Sequence, residues 1–147
     1  VLGLLATAYD RMNIFFDVDS TLVARDGSLR PGVPEVFQRL REDGHTIYVW
    51  SGVGVRWEVV DRHRLRPYVA GVFLKPLYDY HKGLVTLGVP VQPDFCVDDY
   101  PEIVWAFGGT VVTPYESPDP ADREMERVHQ AVQTFLKKRQ DGNGAGP

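Results

Sequence analysis

The residues best able to do chemistry in this chain are acidic and paired. Asp17-Val18-Asp19-Ser20-Thr21 sets two carboxylates two positions apart, where the short apolar run Asn13–Asp17 ends. Asp98-Asp99 sets a second pair behind another apolar run, Phe95–Val97. Near a strand end, side chains two apart share an orientation, so Asp17 and Asp19 are expected to face one small volume. Carboxylates that close repel and need a cation or a shared proton. Hard oxygen donors without histidine or thiol favour Mg²⁺ over zinc or copper. Ser51, followed by Gly52, offers a hydroxyl donor, and Lys75 offers an ammonium; together they suit a phosphoryl group. A carboxylate beside Mg²⁺ and a bound phosphate can act as a nucleophile and form an aspartyl-phosphate. A second carboxylate can then protonate the leaving oxygen and activate water. Phosphoryl transfer asks mainly for positioning and charge neutralisation, which this set supplies.

These residues need a scaffold, and the pattern around them alternates strand and helix. Strands are expected at Asn13–Asp17, Thr46–Trp50, Val69–Leu74, Phe95–Val97 and Thr110–Val112, all apolar and β-branched or aromatic. Helices are expected at Pro34–Glu42, Arg56–Leu65, Leu77–Leu87, Pro101–Phe107 and Asp119–Arg139, with Asp119 or Asp122 as the last helix's cap. Strands separated by helices imply right-handed crossovers and a mainly parallel five-stranded sheet, doubly wound in three layers and Rossmann-like. Such sheets bind ligands at the carboxyl ends of their strands. Asp17 and Asp19, Ser51, Lys75, and Asp98 and Asp99 follow strands one to four in that order. Every conspicuous polar cluster therefore falls at one edge of the sheet.

D-V-D-S-T-L-V, S51 in V-W-S-G, K75 in F-L-K-P and V-D-D-Y-P-E together resemble the haloacid dehalogenase superfamily of aspartate-nucleophile phosphatases. The motifs occur in that family's order over roughly residues 13–112. The resemblance implies Asp17 as nucleophile and Asp19 as general acid and base. It implies Ser51, Gly52 and Lys75 as the phosphate-binding group. It also implies a Mg²⁺ held by the Asp17 side chain, the Asp19 backbone carbonyl and Asp98, with Asp99 direct or through water. Members that act on carbon–halogen bonds usually lack the second aspartate, so Asp19 favours a phosphatase. Lys82 is the rival to Lys75, but it lies inside an expected helix rather than at a strand end.

The family's cap domains insert after the first or the second motif. Here the stretch from Thr21 to Ser51 is filled by a flap, a helix and a strand, and that from Ser51 to Lys75 by one helix and one strand. A capless, open site is expected. The flap spans Leu22–Arg30 with Asp26-Gly27 as its turn, and Arg25 and Arg30 are expected to flank the site entrance. An open site admits macromolecular or lipid-linked substrates unless an oligomer partner closes it. Two other readings stay open. One is a receiver-type phospho-acceptor signalling module, although its paired acids come from the first strand whereas here they come late. The other is a catalytically silent binding module on the same scaffold.

Composition sets the outer bounds. With 147 residues, 44% hydrophobic and 24% charged, the chain suits one globular domain, expected over 12–140. Residues 1–11 are an uncertain extension, either an expression remnant or a packed segment, and 141–147 are expected to be a disordered tail. The net charge of −4 gives no field for gathering nucleic acid, which enters only as a phosphorylated substrate. Cys96 stands alone, which excludes an internal disulfide and a Cys-rich zinc module. No apolar run reaches the roughly 20 residues of a membrane span, so a cytoplasmic protein with no membrane partner is expected. Arg56, Arg62, Arg64, Arg66 and His63 read as a solvated face, or as an anion-binding surface beside the site. Trp50, Trp57 and Trp105 read as packing groups, and His45, His81 and His129 show no metal-ligand spacing.

Overall fold

The structure is a computed structural model that describes residues 10–144. In chain order its elements are β1 (Asn13–Asp17), α1 (Val33–Glu42), β2 (Thr46–Ser51), α2 (Trp57–Arg62), β3 (Val69–Leu74), α3 (Tyr80–Thr86), β4 (Phe95–Asp98), α4 (Pro101–Phe107), β5 (Gly109–Val111) and α5 (Glu124–Gly144). Among the described residues the strands form one five-stranded sheet in the order β3-β2-β1-β4-β5, parallel throughout. This is an α/β architecture consistent with a Rossmann-like fold. The winding reverses between β1 and β4, and in open parallel sheets that reversal point opens a crevice at the strand ends.

The strands are apolar because both of their faces are covered. Side chains alternate across a strand, so Ile14 and Phe16 join one core with Phe37, Leu40, Val128 and Val132 from α1 and α5. Phe15 turns the other way and packs with Trp50, Leu84, Ile103 and Val104, the last three from α3 and α4. Each such side chain removed fully from water contributes roughly 1.5–3 kcal/mol. A parallel strand flanked on both faces thus needs the continuous apolar runs that marked these segments.

Register then sets what happens at the carboxyl ends. Phe16 pairs with Val97, so Asp17 and Asp98 end neighbouring strands side by side. Asp17 pairs with Trp50, which brings Ser51 one step beyond it, and Ser51 pairs with Leu74, one residue before Lys75. At the far edge, β5 can approach β4 only because residue 109 is glycine. Its φ is +141°, and a Cβ there would lie 1.9 Å from the Cys96 carbonyl oxygen.

Several boundaries differ from the sequence expectation. The last helix begins at Glu124, because Asp119–Arg123 form turns closed by Asp122 N–H to Asp119 O and Ala121 N–H to Asp119 Oδ1. Of the two expected caps, Asp122 is the one that accepts the Glu124 N–H, at 3.2 Å. The helix also continues through Gly144, which corrects the expected disorder of 141–144. Once Val128, Val132, Phe135 and Leu136 hold the helix on the core, each further residue propagates a formed nucleus and needs no strong propensity of its own. Residues 145–147, and 1–9 of the uncertain extension, lie outside the described residues. The α2 segment stops at Arg62, with Arg64 left-handed at φ 57°, and α3 begins at Tyr80 rather than Leu77. Trp50 is fully buried as a packing group, whereas Trp105 is 74% exposed. Among the described residues no helix is long and apolar enough to cross a membrane.

Candidate functional site

The first motif turns sharply as it leaves the sheet. Ser20 adopts φ 64°, rare for a residue with a side chain, and the turn closes through Leu22 N–H to Val18 O at 2.8 Å. This turn tucks Thr21 fully inside. The Thr21 hydroxyl lies 3.1 Å from Asp17 Oδ2 and 3.2 Å from Asp99 Oδ1, while its oxygen accepts the Asp99 N–H at 3.2 Å. One hydroxyl proton thus serves two carboxylates and ties the first motif to the last. In the sequence the one signal for Thr21 is its place at the end of D-x-D-x-T, and its bridging role between two motifs is visible only in the fold.

Lys75 Nζ reaches both strands of the switch point, donating to Asp17 Oδ1 at 3.0 Å and Asp98 Oδ2 at 2.9 Å. Its backbone N–H bonds to Ser51 O, which keeps β2 and β3 in step to their ends. Asp98, completely buried, also accepts the Tyr100 N–H at 2.9 Å, so it supports the start of α4 while facing the cluster. Its two oxygens face different partners, Oδ2 the Lys75 ammonium and Oδ1 the Tyr100 N–H.

One ammonium does not balance this much negative charge. Burial pushes the Asp17 carboxyl up to about 8, the Asp98 charge adds to the rise, and Lys75 only partly offsets it. Burial likewise raises Asp98 above the ordinary carboxylate range, against the pull of Lys75 and the Tyr100 N–H. Burial draws the Lys75 ammonium down, but the two carboxylates outweigh it and leave it above its ordinary value. The carboxylates of Asp17, Asp98 and Asp99 offer oxygens within 4.8 Å of one another, a group that could hold a metal ion. Three oxygen donors with uncompensated charge fit a hard divalent cation such as Mg²⁺.

Ser51 is buried beside this cluster. Its Oγ accepts the Val53 N–H at 3.2 Å, which leaves the hydroxyl hydrogen to donate to a ligand oxygen. Asp17, Asp19, Ser51, Gly52, Lys75, Asp98 and Asp99 all line one cleft of about 470 Å³, open to solvent. Lys82 does not; it lines a neighbouring cavity, so Lys75 is the lysine at the cluster.

Asp19 shares the cleft but not the cluster. Its carboxylate is turned outward and accepts from Arg56 Nη1 at 2.7 Å, while Arg56 Nε donates to Glu58 at the same distance. Arg56 counted in the sequence only as part of a basic stretch; nothing local marks it as a partner for a residue 37 positions away. The rest of that stretch is largely satisfied. Arg66 grips Asp61 with two bonds and lies over the Trp57 ring, and His63 Nε2 sits 2.9 Å from Gly27 O.

The flap forms as expected, with Val23 bridging Leu29 and the turn closed by Ser28 N–H to Asp26 Oδ1. Its arginines do not flank the cleft. Arg30 is 1% exposed and points inward, where its guanidinium donates to Asp122 Oδ1 and Oδ2, Thr21 O and Thr113 O. A planar fork of five donors is satisfied in the interior only where several acceptors converge, and they converge here rather than at the entrance. Arg25 is exposed at the flap and pairs with Glu116 at 2.9 Å, away from the cleft lining.

Fold and site define a class: a parallel α/β protein with a three-carboxylate cluster, Asp17 and Asp98 buried and Asp99 half-buried, and a lysine at its switch point. No protein-family model matches the chain, and no curated protein matches it.

Proposed function

We propose that this chain is a cytoplasmic Mg²⁺-dependent phosphatase of the haloacid dehalogenase type, hydrolysing a phosphomonoester through an aspartyl-phosphate in an open, capless site. The observation that carries the reading is the convergence of Asp17, Lys75 and Asp98 at the ends of three strands, with Asp99 and Thr21 closing the cluster and Ser51 on the same cleft.

In this reading Asp17, Asp98 and Asp99 would hold Mg²⁺, which would supply positive charge against the phosphoryl oxygens and favour the ionised form of Asp17. Ser51 Oγ–H and Lys75 Nζ bind the remaining phosphoryl oxygens. An Asp17 carboxylate oxygen attacks phosphorus as the bond to the ester oxygen breaks. The Asp19 carboxyl gives its proton to that leaving oxygen, and the alcohol departs. Asp19, now a carboxylate, takes a proton from water, whose oxygen attacks phosphorus while the bond to Asp17 breaks. Inorganic phosphate leaves, with Asp17 a carboxylate and Asp19 a carboxylic acid again. For this sequence Asp19 must turn from Arg56 toward the cleft interior, a change of one exposed side chain.

Steady-state hydrolysis of an aryl phosphate with Mg²⁺ tests the reading. Turnover should fall below one-thousandth in Asp17→Asn; retention of more than about a tenth would rule out Asp17 as the nucleophile. A stable phosphoenzyme without turnover in the unaltered protein would instead favour a phospho-acceptor module.

A further inference from the structure

The cleft does not end at Leu77. A second cavity of about 410 Å³ adjoins it, and the two share Gly52, Lys75, Pro76 and Leu77 as a common wall. Beyond that wall, Leu74, Tyr78, Gly83 and Leu87 contribute apolar lining, with Asp79, Lys82 and Thr86 as its polar groups. The wall stands very close to the phosphate-binding residues. A Cβ on Gly52 would lie 2.5 Å from Leu77 Cδ2, so Leu77 rests directly on the backbone next to Ser51. Gly83 is equally tight against Pro76, at 2.5 Å for a Cβ, which packs α3 under the 76–79 loop and shapes the cavity.

The cleft mouth is also unusually apolar. Leu77 is 65% exposed, Tyr78 82%, Val53 78% and Tyr100 56%, all at the carboxyl edge of the sheet where the charged cluster lies. Grouped exposed apolar side chains around a polar centre mark a surface that a ligand covers. Leu77 lines both the cleft that holds Ser51 and Lys75 and the adjoining cavity, whose volume of about 410 Å³ has room for an aromatic ring.

Resting on the phosphatase reading above, we propose that this cavity is a leaving-group subsite that selects phosphomonoesters with a ring-sized apolar group on the ester oxygen. Contacts there act on the part of the substrate that does not react, and they raise kcat/KM where they tighten in the transition state. A small polar alcohol would leave Leu77, Tyr78 and Leu87 uncovered and gain nothing from them.

The test compares benzyl phosphate with ethyl phosphate, whose alcohols are similar leaving groups, using the full chain with Mg²⁺. The kcat/KM ratio should favour benzyl phosphate by at least about 10-fold, the size expected from covering part of a ring. Leu87→Glu and Tyr78→Ser, made separately on exposed positions, should each reduce that ratio several-fold. A ratio near one, or a ratio that neither variant moves, overturns the subsite while leaving the phosphatase reading in place. Hydrolysis of neither ester overturns both.

Discussion

Arg56 Nη1 and Asp19 Oδ2 lie 2.7 Å apart, and this pair decides where the second aspartate of the first motif points. Asp19 is separated from Asp17 by a single residue, yet its carboxylate is 56% exposed while that of Asp17 is 8% exposed. The guanidinium, itself 20% exposed, draws Asp19 away from three like charges that would repel it.

Removing Arg56 should therefore disturb catalysis more than folding. Arg56→Ala should raise kcat by about 2- to 10-fold with little change in KM, because Asp19 no longer has to leave a guanidinium at 2.7 Å to reach the leaving oxygen. Stability should change by less than about 1 kcal/mol, as is usual for an ion pair this exposed. Steady-state kinetics beside thermal unfolding separates the two effects; an unchanged kcat would show that the pair with Arg56 does not restrain Asp19 during turnover.

The carboxylate cluster makes metal and pH interdependent. Asp17 and Asp98 both bind protons more tightly folded than unfolded, and for Asp17 the native state carries more protons between the ordinary value of 3.8 and about 8. Their contribution is fully present at low pH and is lost as pH rises through that window. Without metal, this cluster should lower stability progressively from pH 4 to pH 8. Saturating Mg²⁺ should restore about 1–3 kcal/mol at pH 8 and EDTA should remove it. Asp98→Asn should abolish the Mg²⁺ response; an unaltered response in calorimetry would place the metal elsewhere.

The two flap arginines should separate cleanly in a denaturation experiment. Arg30→Ala removes the cation paired with Asp122 and the donor to Thr21 O and Thr113 O, at a cost of about 3–5 kcal/mol. Arg25→Ala breaks a pair whose side chains are 78% and 56% exposed and should cost at most about 1 kcal/mol. Equal effects in urea unfolding would contradict the inward role of Arg30.

His45 gives a second pH signature, far from the site. Its Nδ1 accepts the buried Met12 N–H at 3.1 Å, which requires a nitrogen free of its proton. Burial lowers its pKa below the ordinary 6.5, against the opposing pull of Asp43. The unfolded chain therefore binds more protons just below pH 6.5, and stability should fall as pH drops from there. His45→Ala should lower stability at pH 8 and flatten that slope; an unchanged slope would assign it to other groups.

Much of this was readable in one dimension because it is local. An apolar run ending in Asp17, or in Asp98, announces a strand flanked on both faces whose end meets solvent, whatever the rest of the chain does. Hence the strands, the acidic pairs and their common edge followed from sequence, as did Lys75 at a strand end. Tertiary structure alone decided the rest, since it depends on which segments meet. The crossover that sets β4 beside β1 brings Asp98 to Asp17, and the buried turn at Ser20 lets Thr21 span Asp17 and Asp99. Arg30 turned inward because its acceptors came from residues 21, 113 and 122. Asp19 turned outward because Arg56 met it across the sheet edge. Spacing and periodicity report a residue's own neighbours in the chain, whereas a charged side chain settles where distant partners can satisfy it.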